Sequence, residues 1–335
     1  MKEYSFNIII PSITIDNNLL NCLKKIQNLK YKIFFVTLVL DYKNSIKIKK
    51  YKYRIHIIET GNINMSLKRN IAAKKFKSIF IAFLDSDAYP NINWLKNANL
   101  YLKKNNNLIL GGPNIPFPKQ TYSELLCHYC KRSFFLNGHL NYRKYKSKEK
   151  YTNDWLESCN LIIKRNFFLK NKGMNKDIYI GEDREFFERI RKNIKDLKVL
   201  FSPKLYIFHK ERDIFHFILQ RFSFGMDIFS GINFFSGIKG FLATLPFFVV
   251  SLILTISIID LNYYSKIYIF TFLFFIFNIL VVFEIKKYLK SFLDIINVAL
   301  LLNLSNFIYG LGGFASLLGI RKIIEKKIYR SSKKN

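Results

Sequence analysis

The chain has 335 residues, enough for one sizeable α/β domain and something smaller, and its 50% hydrophobic content is high for a wholly soluble protein. The formal net charge of +31 invites a nucleic-acid partner, yet no zinc-finger, RRM or KH pattern accompanies it. Lys, Asn, Ile, Phe and Tyr are over-used together, as an A+T-rich gene would produce, and cations also suit a protein at an anionic lipid surface, so nucleic acid is set aside as a partner.

In chain order, "FNIIIPS" reads as a buried strand, "NNLLNCLKKIQNL" as an amphipathic helix and "IFFVTLVLD" as a second buried strand. "YRIHIIET" is a third strand, "SLKRNIAAKKF" a helix and "SIFIAFLD" a fourth strand. Pro11 cuts the first apolar run short, so "MKEYSFNIIIPS" is no secretory signal and the amino-terminal domain is expected in the cytoplasm. Alternating β and α elements with continuously apolar strands predict an α/β fold: a mostly parallel, doubly wound sheet with helices on both faces. Ligands of such sheets bind beyond the carboxyl ends of the strands, where Asp41, Glu59, Asp85 and Asp87 fall. Asp85 and Asp87 leave their strand on the same side, and two hard oxygen ligands there suit Mg²⁺ or Mn²⁺ beside a diphosphate. Cys127 and Cys130 in "CHYC" have metal spacing but no second pair, and they read as two small buried residues on one helical face.

From "NINMSLKRN" through "FLDSDAYP", "GGPNIP", "SCNLIIKR", "GEDREFFERI" and "LYIFHKERD", the order and spacing resemble the family 2 glycosyltransferases of GT-A fold, over roughly Phe6 to Gly225. The resemblance implies a nucleotide-sugar pocket opened by the first strand, at Pro11 and Ser12, with Asp41 and Arg69 also on the donor. It assigns Asp85, Ser86 and Asp87 to the DXD-type motif that holds a metal and the donor diphosphate, and His209 to the metal or diphosphate. Gly112, Pro113, Asn160 and Arg221 are assigned to the acceptor. Asp183 becomes the catalytic base, with Glu182 orienting the acceptor or the base, in a single displacement that inverts the anomeric centre. The chemistry is consistent, since a cation offsets charge on the leaving diphosphate and a carboxylate can take the acceptor hydroxyl's proton. "GEDREFFERI" also reads as a helix start, whose first turn favours acids, and the two readings are compatible.

The chain departs from the family pattern in places. "LVLDYKNS" offers only Asp41 where the turn is usually richer in acids. Asn64 replaces a usual Gly and is expected to tolerate the left-handed turn. Asn175 stands where an acid is common. "ILQRFSFG" lacks the spacing and Trp of the Gln-x-x-Arg-Trp element, so processive synthesis is not supported.

Beyond Gly237 the apolar residues come in long blocks. Ile238 to Ile259 and Lys266 to Ile285 are each expected to cross a bilayer. The segment Ser291 to Ile320 carries Asp294, Asn297, Asn303, Asn306 and a glycine cluster, and a third crossing would put the basic tail outside. It is therefore expected to be re-entrant or interfacial. The expected organisation is a catalytic domain at 1–212, an amphipathic interfacial connector at 213–237, a membrane region at 238–320 and a basic cytoplasmic tail at 321–335. The sequence thus reads as a multi-pass inner-membrane glycosyltransferase, its catalytic domain facing the cytoplasm, with a nucleotide-sugar donor and a lipid-linked acceptor of the envelope. The alternatives are transfer to a polyprenyl phosphate and a non-catalytic sugar-nucleotide binding module. A sugar nucleotidyltransferase is excluded because "PSITIDNN" lacks the Gly-rich basic loop that holds a triphosphate.

Overall fold

The computed structural model describes residues 3–226, apart from 43, 45 and 47, and residues 264–318. The chain divides into two compact units, Met1–Phe117 with Tyr142–Lys210, and Pro118–Asn141 with Glu211–Asn335. The segment Pro118–Asn141, expected inside the 1–212 domain, therefore groups with the later helices.

In the first unit, β1 (Phe6–Pro11) is buried along its whole length because both faces of the sheet are covered. It pairs in parallel with β2 (Phe34–Leu40) on one side and β4 (Phe80–Leu84) on the other, and β3 (Ile55–Glu59) pairs in parallel with β2. The intervening helices α1 (Asn17–Ile26) and α2 (Met65–Lys75) make these parallel crossovers. Asp16 caps α1 by accepting from the Leu19 amide, and the helix buries Leu19, Cys22, Leu23 and Ile26. The sheet grows to eight strands in the order β3-β2-β1-β4-β9-β6-β10-β8, with β6 (Ile109–Gly111), β8 (Lys150–Tyr151), β9 (Asn160–Lys164) and β10 (Val199–Phe201). Only β9 and β8 run against the rest, so the mostly parallel sheet is as expected. A second sheet, β5 (Ala88–Pro90), β11 (Ile207–His209) and β7 (Asn114–Pro116), stands at the end of β4.

Asn64 does not adopt the left-handed turn. Its backbone is extended at φ −73°, and its side chain caps α2 by accepting from the Leu67 amide. The left-handed residue of this loop is Gly61, at φ +70°.

The second unit is helical. It contains α4 (Tyr122–Arg132), α5 (Phe134–Asn137), α8 (Ile214–Met226), α9 (Tyr264–Ile285) and α10 (Phe292–Leu317). Cys127 and Cys130 lie in its apolar core with Phe217, Val281, Ile285 and Leu302. Burial pushes the Cys127 thiol up to about 12 and raises that of Cys130 well above its ordinary value, as fits packing rather than reactivity. Asn278 and Asn303 hydrogen-bond between α9 and α10 at 2.8 Å.

The third apolar segment, expected to be re-entrant or interfacial, forms α10, which runs unbroken for 26 residues through Gly310, Gly312 and Gly313. Its glycines serve close packing instead. A methyl group on Gly312 would overlap the Phe222 carbonyl of α8, and one on Gly225 would overlap the Tyr309 carbonyl of α10. Among the described residues, Phe292–Ser316 is the one helix long and apolar enough to cross a bilayer. The expected span Ile238 to Ile259 lies outside the described residues. The span Lys266 to Ile285 falls within the 22-residue helix α9.

Candidate active site

The carboxyl ends of β1, β2 and β4 lie side by side through their parallel pairing, and β4 delivers the acidic pair. A turn closed by the Ala88 amide on the Asp85 carbonyl, 3.2 Å, folds the chain from β4 into β5, with Ser86 within the turn between the two acids. Antiparallel pairing then sets His209 of β11 opposite Ala88, and the Lys210 amide holds the Asp87 carbonyl at 2.9 Å. Ligand atoms of Asp85, Asp87 and His209 all lie within 4.8 Å of one another. His209 Nδ1 donates to the Lys210 carbonyl at 2.8 Å, which leaves the Nε2 lone pair facing Asp87 at 3.6 Å. Two carboxylates and one oriented imidazole are a donor set that fits a divalent cation.

Arg69, 2% exposed on α2, connects this group to the "GED" motif. Its Nη2 donates to Asp85 at 2.7 Å and its Nη1 to Glu182 at 2.8 Å. One guanidinium therefore binds two acids 97 positions apart in sequence, a bridge that a planar fork makes better than an ammonium.

Glu182 and Asp183 begin α7 (Glu182–Asn193), so the helix-start reading and the site reading coincide. Gly181, at φ +82°, makes the turn that launches this helix, a conformation that disfavours any side chain. Asp183 accepts the Ser158 amide at 3.0 Å and its neighbour's amide, Arg184, at 2.8 Å. Burial first, then the Glu182 charge, pushes its pKa up to about 7, against the pull of those two amides. A carboxylate so poised suits a general base near neutral pH.

The remaining predicted residues divide into two groups. Pro11, Ser12 and Asp41 do sit at the ends of β1 and β2, but the Ser12 hydroxyl donates to the Thr14 carbonyl within its own turn. Asn160, expected at the acceptor, is instead a buried brace. Its amide nitrogen donates to the Gly112 and Leu205 carbonyls, both at 2.9 Å, and its oxygen accepts from Trp94 Nε1 at 3.0 Å. All of its bonding capacity along those directions is internal, so the acceptor role is corrected to a structural one. Gly112 and Pro113 are buried beside it. Arg221 belongs to the helical unit, where it is 5% exposed and stacks on the Tyr309 ring at 4.6 Å.

Sequence reasoning missed Ser158, Glu157 and Lys68. Ser158 donates its amide to Asp183 and its hydroxyl to Glu182 at 3.3 Å. Lys144 bonds both oxygens of Glu157, at 2.9 and 3.0 Å. Against its burial, the Lys144 and Arg143 charges hold the Glu157 carboxyl below its usual range. "WLESCN" carries both Glu157 and Ser158, and only the Asn was read from it.

Residues 7–170 match the sequence profile of Glycosyl transferase family 2. That match includes Asp41, Arg69, Asp85 and Asp87 and stops short of Glu182, Asp183 and His209. No curated protein sequence matches the chain. Among solved structures, S. aureus TarS is similar over 68% of this chain and 40% of its own, at 16% identity and a TM-score of 0.46. GalNAc-T7, crystallised with UDP, GalNAc and Mn²⁺, is similar over 63% of this chain and 44% of its own, at 13% identity and a TM-score of 0.48. TarS 1–349 is similar over 98% of this chain and 90% of its own, at 14% identity and a TM-score of 0.48. The chain thus spans less than half the length of full TarS and of GalNAc-T7. The strand order and the acidic turn after β4 fit a GT-A fold, and residues 7–170, which lie in the first unit except for 118–141, match Glycosyl transferase family 2.

Proposed function

We propose that this protein transfers a sugar from a nucleoside-diphosphate sugar to a hydroxyl of a lipid-linked acceptor, inverting the anomeric centre, at the cytoplasmic face of a membrane. The carrying observation is that Arg69 joins the acidic turn to the "GED" helix start, so that Asp85 and Glu182 flank one guanidinium. A divalent cation held by Asp85, Asp87 and His209 would supply positive charge against the departing diphosphate. Asp41, at the end of β2, faces the nucleoside. Asp183, its pKa raised toward neutrality, takes the proton of the attacking hydroxyl, and Ser158 and the start of α7 hold it in place. Glu182, fixed by Arg69 and Ser158, orients the acceptor beside it.

The membrane part of the reading is supported by the apolar helix Phe292–Ser316 and by large exposed apolar residues, among them Phe275, Phe283, Leu293 and Leu300. A lipid-linked acceptor fits such an anchor, which would hold enzyme and acceptor on one surface.

The test uses the full chain purified in detergent, with UDP-, GDP- and dTDP-sugars, Mn²⁺ and a lipid extract. Turnover of one donor, lost in Asp87→Ala and Asp183→Asn, is the expected result. Equal transfer to soluble free sugars would remove the lipid-linked acceptor from the proposal. Absence of turnover together with absence of metal-dependent nucleotide binding would leave a non-catalytic module.

A further inference from the structure

Lys68 is fully buried, with no exposed side-chain surface, on the first turns of α2. A buried ammonium is tolerated only with close compensation, and here its Nζ pairs with Asp41 and donates to the Ser12 carbonyl. Both partners lie where β1 and β2 end, in the region proposed above for the donor nucleoside. The backbone around Asp41 is also fixed. Its amide donates to the Ile13 carbonyl at 2.9 Å, and its carbonyl accepts from the Gly61 amide at 3.0 Å.

The Asp41 carboxylate is consequently divided. Oδ1 is shut off from solvent against Lys68, and the side chain as a whole is 10% exposed. Oδ2 is then the oxygen within reach of a ligand. Guanine offers two adjacent donors, the ring N–H and the amino group, which match a carboxylate with both oxygens available. Uracil and thymine offer a single ring N–H between two carbonyls, which one carboxylate oxygen satisfies. We infer that Lys68, by sequestering one oxygen of Asp41, makes this chain select uridine or thymidine diphosphate donors over guanosine diphosphate donors.

Lys68 is a positioning residue, because it reaches a ligand only through Asp41. The inference rests on the donor-site reading of these strand ends, and the test separates the two. Titration calorimetry of the full chain in detergent with Mn²⁺ would compare UDP, dTDP and GDP on wild type, Lys68→Met and Asp41→Asn. UDP or dTDP binding about tenfold or more tighter than GDP is expected for wild type, with that advantage reduced at least severalfold in Asp41→Asn. In Lys68→Met, which frees Oδ1, the ratio should move toward one, a change that mere loss of packing would not produce. Should Lys68→Met fail to fold, Lys68→Gln takes its place, and a ratio unchanged from wild type in the folded variant overturns the role of Lys68. Equal or tighter GDP binding by wild type overturns the base selection and leaves the donor site standing. Binding of none of the three by folded protein overturns both.

Discussion

Asp183 makes a prediction in which function and stability oppose each other. Its carboxyl rises from an ordinary 3.8 to about 7 in the folded chain, through burial and then the Glu182 charge. A raised folded-state pKa means that the native state holds the proton more tightly than the unfolded state. The resulting stabilisation is complete below about pH 4 and is lost as pH climbs to about 7. At about 1.4 kcal/mol for each unit, the ceiling is on the order of 4 kcal/mol, and solvent contact at this partly exposed group reduces it to about 2 kcal/mol. Asp183→Asn does not titrate. It gives up one of the two amide bonds, to Ser158 or to Arg184, at a cost of about 1–3 kcal/mol that is the same at every pH. The informative quantity is therefore the difference in Tm between variant and wild type as pH changes. Thermal melts of both full chains at pH 5, 6, 7 and 8 should show the variant gaining about 2–5 °C on wild type across that range, since roughly 60% of the loss falls within it. Transfer by wild type should rise over the same interval, while the variant stays about 10²-fold or more slower. A Tm difference that is flat with pH would refute the raised pKa and the assignment of Asp183 as a base poised near neutrality.

Three further outcomes follow from the geometry. Arg69→Met leaves Asp85 and Glu182 without their shared buried cation, and should lower stability by about 3 kcal/mol while abolishing transfer, as read by thermal melting and by donor turnover. His209→Ala removes the one nitrogen ligand of the candidate cation site, and Mn²⁺ titration should show affinity weakened about tenfold or more with the fold intact. Gly312→Leu drives a side chain into the Phe222 carbonyl of α8, and should destabilise the helical unit by about 1–3 kcal/mol, visible as faster proteolysis of that unit.

The first half of the sheet was legible because period and burial coincide there. "FNIIIPS", "IFFVTLVLD", "YRIHIIET" and "SIFIAFLD" are apolar on both faces, and they became β1 to β4 in parallel order. The acidic pair was legible for the same reason, since a strand's end announces its own position. The rest of the site depends on pairings distant in sequence. His209 gains its meaning from the register of β11 on β5, and Ser158 from a loop that reaches α7. Asn160 misled because its spacing fits a ligand contact while its neighbours, Trp94, Gly112 and Leu205, lie 66, 48 and 45 positions away and satisfy it internally. Lys68 stayed hidden because a lysine in "SLKRN" reads as a solvated residue, and only the fold shows it to be buried.

The glycines of α10 show a different obstacle. In isolation, Gly310, Gly312 and Gly313 weaken a helix, and the sequence reading took them for an interruption. Their contribution is set by α8, where Gly225 offers a matching gap, so that two backbones approach without a side chain between them. Close packing of this kind replaces the lost propensity with dispersion contacts along both helices. Whether a glycine breaks a helix or joins two is decided by the partner surface, which local sequence does not contain. The same reasoning applies to Arg69. Alone it is one more cation in a strongly basic chain, and its importance lies in the two carboxylates that the fold brings to either side of it.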